Sequence, residues 1–393
     1  MKKFALTAAM IVTSAGSAFA NAPTVTLSGV VDNKYGYVDQ KSGFRYATPD
    51  NTSTSKLRNH ALVSETKVKV RVDGKMDRGL GYGAMVLLNA DTSADKDGDS
   101  DNARQTMAYV EGMFGRVEAG SYTGASYALQ TNAMQIARGN GCGGETRYWI
   151  NQLAGSGNSI REDFLLVPTL YTNNAGLISS KQVNAAKLTY YTPKVGGLEA
   201  GITYIDDLES YGTINQASSA LQKDGASLGA MRNIIEGGLR YSAKMDKVTL
   251  KASLLGQHGL AKHYGPNGNR ALRAWEAGAS VGYMNITIAG AYGSLEKSGQ
   301  TKITPDRTSQ YWNAGAAVEN GPFGLSVVYT ETKRGINNQA HANRMRNVTA
   351  GADYVVAKGM KVYGNTSYFR FHDKGGNTNN KGMTYILGSE LAF

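Results

Sequence analysis

The sequence predicts an all-β chain that crosses a membrane as a sixteen-stranded antiparallel barrel, and three observations carry that expectation. An export leader opens the chain, segments of about 9 to 12 residues with period-two alternation fill it, and the connections between them alternate short and long.

Lys2 and Lys3 precede an apolar run from Phe4 to Val12, and the segment closes on Ala18-Phe19-Ala20. A basic start, an apolar stretch too short to span a bilayer as a helix, and an A-x-A ending together define a cleavable export signal. Removing residues 1–20 from 393 leaves 373, beginning at Asn21, and takes two lysines from the net charge of +11 to leave +9. A soluble chain of this length would divide into about two or three domains. No Pro-rich or Ser-rich linker, lasting composition shift or helical repeat interrupts it, so 21–393 is expected to form one closed unit.

No later stretch reaches the roughly 18 consecutive apolar residues that a membrane-spanning helix needs, so a membrane location requires a barrel. Composition agrees: Gly 48 and Tyr 23 are high, Pro 7 and Cys 1 are low, and 41% hydrophobic residues is less than an ordinary globular core demands. A barrel with a wet interior needs no continuous apolar core. A lone Cys142 excludes an intrachain disulfide framework and reads as an unreactive loop thiol. The Lys and Arg residues are scattered along strands with no run or recognition helix, so no nucleic-acid partner is expected.

Taken in order, the strands are expected at about 24–38, 65–75, 80–91, 103–112, 115–124, 184–192, 198–206 and 232–242, then at 247–257, 272–283, 286–294, 309–319, 323–332, 345–356, 360–371 and 382–393. Sixteen is even, as a single-chain bacterial barrel requires. Alternation is clearest where Lys67, Lys69, Arg71 and Asp73 interleave with Val68, Val70 and Val72, so that water must meet one face and lipid the other. Tight connections such as Met76–Gly79, Gly112–Gly115, Asn320–Gly321 and Ala357–Gly359 carry turn residues, and polar connections of roughly 10 to 60 residues lie between them. This is the pattern of short periplasmic turns and long external loops. Tyr35, Tyr37, Tyr109, Tyr190, Tyr204, Tyr241, Tyr283, Tyr329 and Tyr368 are expected near the ends of outward faces, where a ring is buried and its hydroxyl wetted.

Three stretches carry a resemblance. VTLSGVVD (25–32) resembles the opening V-T-L-Y-G-x-x-D strand of the general diffusion porins of Gram-negative bacteria. RQTMAYVEGMFGRVEAG (104–120) is similar, without gaps, to that family's R-Q-x-F-x-G-L-x-G-G-F-G-x-V-x-x-G hairpin. KLTYYTPKVGGLEAGITY (187–204) looks like its S-V-x-Y-x-S-P-x-x-x-G-F-x-x-x-x-x-Y hairpin, and the chain ends in the family's terminal Phe. The resemblance implies a homotrimer, passive diffusion of small hydrophilic solutes and ions, and a third loop folded into the lumen. It also implies an eyelet where basic wall residues face acids on that loop. Lys69, five residues before Gly74, falls where the family has an eyelet arginine on its second strand, and Arg104, opening the fourth strand, falls at another such position. Lys67 and Arg71 are lumen neighbours by alternation.

The third loop, about 125–183 within the segment 121–183, is the longest connection. Here the chain departs from the family. The acidic P-E-F-G-G-D-type tip is missing, Ser121 stands where the family often has Arg after Gly, and the charged candidates are Arg138, Glu145, Arg147, Arg161, Glu162 and Asp163. Fixed charges in a low-dielectric wall focus the field at the narrowest point, so the basic candidates and the overall +9 point to a mild anion preference.

Other signals are weaker. GASVG (278–282) satisfies G-x-S-x-G but lies inside an alternating strand with no helix after it. The loop 91–102, with Asp91, Asp95, Asp97, Asp99 and Asp101, lacks the Gly and Glu of a Ca²⁺ loop and reads as solvated acid, open to divalent bridging to lipopolysaccharide phosphates or a neighbouring subunit. His60, His258, His263, His341 and His372 show no ligand spacing, and no cofactor is expected. An outer-membrane barrel enzyme would need a nucleophile or paired carboxylates beside a rim His. A solute-specific channel would need a lumen track of aromatics or arginines, for which the chain offers Tyr191, Phe369 and Phe371.

Overall fold

The computed structural model describes residues 22–45, 56–76, 79–90, 103–143, 149–150, 164–175, 177–178, 180–212, 230–262, 268–302, 307–335, 341–374 and 379–393. The expected leader, residues 1–20, lies outside them.

Among the described residues the strands are β1 (Thr24–Gln40), β2 (His60–Lys75), β3 (Gly81–Asn89), β4 (Ala103–Gly112), β5 (Gly115–Ser121), β6 (Ala186–Tyr191), β7 (Leu198–Asp207) and β8 (Met231–Met245). They continue as β9 (Val248–Ala261), β10 (Leu272–Tyr283), β11 (Ile286–Glu296), β12 (Ser309–Asn320), β13 (Phe323–Gly335), β14 (Ala342–Ala357), β15 (Met360–His372) and β16 (Lys381–Ala392). Each pairs antiparallel with its sequence neighbours, and β1 pairs with β16 to close the ring. Every expected strand is present. The largest difference in a boundary is at β2, which begins at His60, where Ala61 to Ser64 pair with Gly36 to Asn33. Alternation fades in that stretch because it lies beyond the apolar band, but the hydrogen-bonded ladder continues.

Directly paired residues share a face, so the register sorts the side chains. Arg71 pairs with Thr26 and Lys69 with Ser28, whereas Val70 pairs with Leu27 and Val72 with Val25. The charged row points inward and the valine row outward. Leu254, Ile288, Leu325 and Leu387 continue the exposed apolar surface around the barrel. Tyr35, Tyr204, Tyr241, Tyr283 and Tyr368 are exposed on the outward face as expected, with Trp312 and Tyr329 rings packed at 4.7 Å. Tyr109 corrects the reading. It is 7% exposed and pairs with Gly83 on the inward face, because β4 turns Met107, Tyr109 and Glu111 inward and Thr106, Ala108 and Val110 outward. No helix among the described residues is long and apolar enough to cross a membrane.

Replacing Ile288, 60% exposed on the outward band, with Arg is expected to cost about 2–4 kcal/mol in the folding equilibrium measured in phosphatidylcholine vesicles. Lys69→Gln on the inward face should leave that equilibrium within about 0.5 kcal/mol.

Candidate functional site

The inward faces of β1 to β5 carry a band of interleaved charge. Lys34 reaches Asp32 at 3.1 Å and Glu65 at 3.4 Å, Lys67 pairs with Glu65, and Arg71 Nε donates to Asp73 at 2.7 Å. The Tyr109 hydroxyl donates to Asp73, and the guanidinium of Arg116 lies 3.8 Å from the Tyr109 ring centroid while reaching Glu118 at 2.6 Å. Lys69 stands exposed between Lys67 and Arg71 and makes no ion pair with the described residues. The expected cluster of Lys67, Lys69 and Arg71 is therefore assembled on one face at two-residue spacing. Arg104 is not brought into it. The register of β3 and β4 shifts beside it, Leu87 pairing with Gln105 and Leu88 with Ala103, and Arg104 is exposed at this bulge while Gln105 takes the inward position.

After β5 the chain turns against the opposite wall. A single helical turn, Ala125–Ala128, starts with the Ala125 N–H donating to Thr203 Oγ1 at 2.8 Å, and Ser126 donates to Glu236 at 3.0 Å. Gln130 donates to Glu276 at 2.8 Å, and the Ala133 N–H donates to Asn313 at 2.8 Å. Asn132 caps the 3-10 turn Ala133–Ile136 by a capping box with Gln135. The Arg138 N–H then meets Ser326 Oγ at 2.7 Å, its guanidinium reaches Asp353 at 2.7 Å and Glu319 at 2.8 Å, and the Asn140 N–H meets Asn365 at 2.6 Å. Residues 124–141 thus lie against inward side chains from β7 round to β15.

Two wall glycines make this approach possible. A Cβ at Gly278 would stand 1.8 Å from the Thr131 carbonyl oxygen, and one at Gly351 would stand 2.3 Å from that of Arg138. The loop's backbone occupies the volume that side chains would fill.

Apolar packing completes the attachment. Leu129, Leu165, Leu170 and Tyr171 are buried with Ile205, Met231, Ile234 and Leu272 of the wall. Phe164 packs edge-on to Phe371 at 5.0 Å, so Phe369 and Phe371 are buried beneath the loop rather than displayed along the lumen. Burial pushes the Cys142 thiol up to about 11, although a hydrogen bond shared with Thr349 acts in the opposite direction. A cavity of about 880 Å³ remains near the short-turn end, bordered by Lys75, Glu111, Arg116, Tyr127, Tyr191 and Arg240.

Of the expected loop charges, Arg138 is in the docked segment, whereas Glu145, Arg147, Arg161, Glu162 and Asp163 lie outside the described residues. So do Asp91, Asp95, Asp97, Asp99 and Asp101. Gly278 to Gly282 lie within β10, which runs on to Tyr283 and turns into β11, so the strand–turn–helix context of a nucleophile elbow is absent there. Glu236, Glu276, Asp353, Asn313 and Asn365 are loop anchors that no sequence motif marks. Each is a polar residue on the inward parity of its strand, and that was the signal available.

The sequence model of the Gram-negative porin family matches residues 5–374, and the chain belongs to that family. Among relatives, an uncharacterized protein of Rickettsia bellii is 25% identical over 456 aligned positions covering 100% of both chains. The outer membrane porin protein 32 of Delftia acidovorans is 26% identical, covering 95% of this chain and 91% of that one. Among solved structures, the anion-selective porin from Comamonas acidovorans superposes with a TM-score of 0.58 at 18% identity, covering 95% of this chain and 100% of that chain. OmpT of Vibrio cholerae, in a trimer form, gives 0.57 at 12% identity with 95% and 100% coverage. The protein is an outer-membrane porin channel.

Asp353→Asn removes one partner of the Arg138 pair from a site where the carboxylate is 3% exposed, an expected cost of about 2–4 kcal/mol in loop attachment. Trypsin should cut after Arg138 at least about tenfold faster in the folded variant, tracking that local opening. In the parent protein Cys142 should react with maleimide at pH 8 far more slowly than a free thiol. A rise from the ordinary 9 to about 11 leaves about a hundredfold less thiolate at that pH. Asp353→Asn should accelerate this labelling, and equal rates in both proteins would show that Asp353 does not hold the loop.

Proposed function

We propose that the chain is a passive diffusion channel for small hydrophilic solutes and ions with a mild preference for anions, that the docked third loop narrows its lumen, and that it works as a homotrimer after export by its N-terminal signal. The observation that carries the selectivity is the asymmetry of the two lumen walls. On the loop side, Glu236, Glu276 and Asp353 are engaged by Ser126, Gln130 and Arg138 and are shielded beneath the backbone. On the β2 side, eight strands away from β10, Lys69 is exposed and unpaired with the described residues. An uncompensated cation on the wall opposite shielded acids favours anion entry in a low-dielectric passage. The presence of an anion-selective porin and of a trimer form of OmpT among the structural neighbours supports the anion and trimer readings. Short turns would face the periplasm and long loops the exterior. With Phe369 and Phe371 covered, a general diffusion channel is favoured over one with an aromatic binding track.

Reversal potentials across planar bilayers in a KCl gradient test the selectivity. The parent channel should pass chloride over potassium, and Lys69→Glu should move the permeability ratio by about two- to fivefold toward the cation with little change in conductance. Cation selectivity in the parent would overturn the charge argument.

A further inference from the structure

On the outer surface, at the long-loop ends of β13 to β16, the outward rows change from apolar to strongly basic. Arg346 pairs directly with Arg370, and Arg370 in turn with Lys381. One row further out, Lys333 pairs with Arg344 and Arg344 with His372. Burial confirms the orientation. Met345, Asn347, Phe369 and Phe371 between these residues are buried inward, whereas Arg370 and His372 are exposed.

Like charges directly opposed across a ladder are destabilising unless something compensates them. Glu331 accounts for Arg346 at 2.9 Å and Arg344 at 3.4 Å. Arg370, Lys381 and Lys333 have no ion pair with the described residues. The cluster encloses a recess of about 110 Å³ lined by Arg344, Arg346, Arg370 and His372, large enough for one phosphate-sized anion. The next outward row holds Val348 and Tyr368, exposed at the level where aromatic rings mark the edge of the hydrocarbon. Below it runs an apolar groove of about 720 Å³ that spans β11 to β16, floored by the small residues Ala350, Ala352 and Gly364 and bordered by Leu325, Val327 and Leu387.

We propose that this face of the barrel binds an individual anionic membrane lipid, its phosphate in the Arg344–Arg346–Arg370–His372 recess and an acyl chain along the Ala350–Ala352–Gly364 groove. Guanidinium groups match phosphate oxygens in a planar, charge-assisted geometry. An apolar groove on the same face, separated from the recess by the single Val348–Tyr368 row, favours a lipid over a free anion. A neighbouring protein would need acidic side chains at the hydrocarbon boundary, where they are costly to place.

The probe is dioleoyl phosphatidic acid in phosphatidylcholine vesicles holding the full-length barrel. The readout is the temperature at which the heat-modifiable gel mobility of the folded barrel is lost. In the parent protein this temperature should rise on adding phosphatidic acid, because a ligand bound to the folded form stabilises it. Arg370→Gln, which removes a side chain with no ion pair among the described residues, should match or exceed the parent in phosphatidylcholine alone, since a repulsion is relieved. It should lose most of the phosphatidic-acid increment and retain at least about fivefold less phosphatidic acid per barrel after detergent extraction. Full retention of the increment by Arg370→Gln would overturn the proposal, as would a variant destabilised in phosphatidylcholine alone. An equal increment from inorganic phosphate would reassign the recess to a free anion. Loss of oligomers in Arg370→Gln without phosphatidic acid would reassign the face to a subunit contact.

Discussion

Everything in this molecule depends on one constraint. In hydrocarbon there is no water to satisfy a backbone N–H or C=O, so a sheet that enters it must have no edge. The closure of β1 on β16 meets that demand, from Val30 opposite Ala392 to Gln40 opposite Gly382. The last residue also takes part: the Gly29 N–H donates to the Phe393 carbonyl at 2.8 Å and the Phe393 N–H donates back to Gly29 at 3.0 Å. Once the ring is complete, a simple alternation along each strand becomes a division of solvents, with Val68, Val70 and Val72 facing lipid and Lys67, Lys69 and Arg71 facing water.

A wet interior then allows what a packed core would not. Carboxylates such as Glu236, Glu276 and Asp353 sit on the inner wall and are buried by a loop that brings its own donors, so each acid has at least one hydrogen-bonded oxygen. The loop is held by two kinds of contact that fail under different conditions. Polar anchors grip its first half, and the apolar packing of Leu165, Leu170 and Phe164 secures its return path. The electrostatic character of the passage follows from which charges this arrangement conceals and which it leaves bare.

The barrel was almost wholly legible in the sequence, because a period of two needs no knowledge of distant residues. Strand number, order and the inward placement of Lys67, Lys69 and Arg71 all follow from local pattern. Tyr109 was misplaced because its residue type suggests an interface ring, although its parity with Met107 and Glu111 pointed inward. Arg104 came from the resemblance rather than from alternation: counting back from Tyr109 and Met107 puts Gln105 on the inward face, and Arg104 lies in the bulge beside it. The loop's attachment was the least legible part. Its anchors are ordinary Glu, Asp, Asn and Gly residues whose roles exist only after strands far apart in the chain have become neighbours.

That last fact bears on how the channel is made. Arg138 meets Asp353 across 215 positions of sequence, and Asn140 meets Asn365 across 225. Their docking surface does not exist until β14 and β15 have joined the ring. The Arg138–Asn140 end of the segment can therefore seat only late, after contacts of very high sequence separation have formed, whereas the Ala125–Ser126 end has its anchors on β7 and β8. A barrel halted short of its last strands would lack the wall on which Arg138 and Asn140 seat, so the far end of the loop is fixed only as the ring is completed.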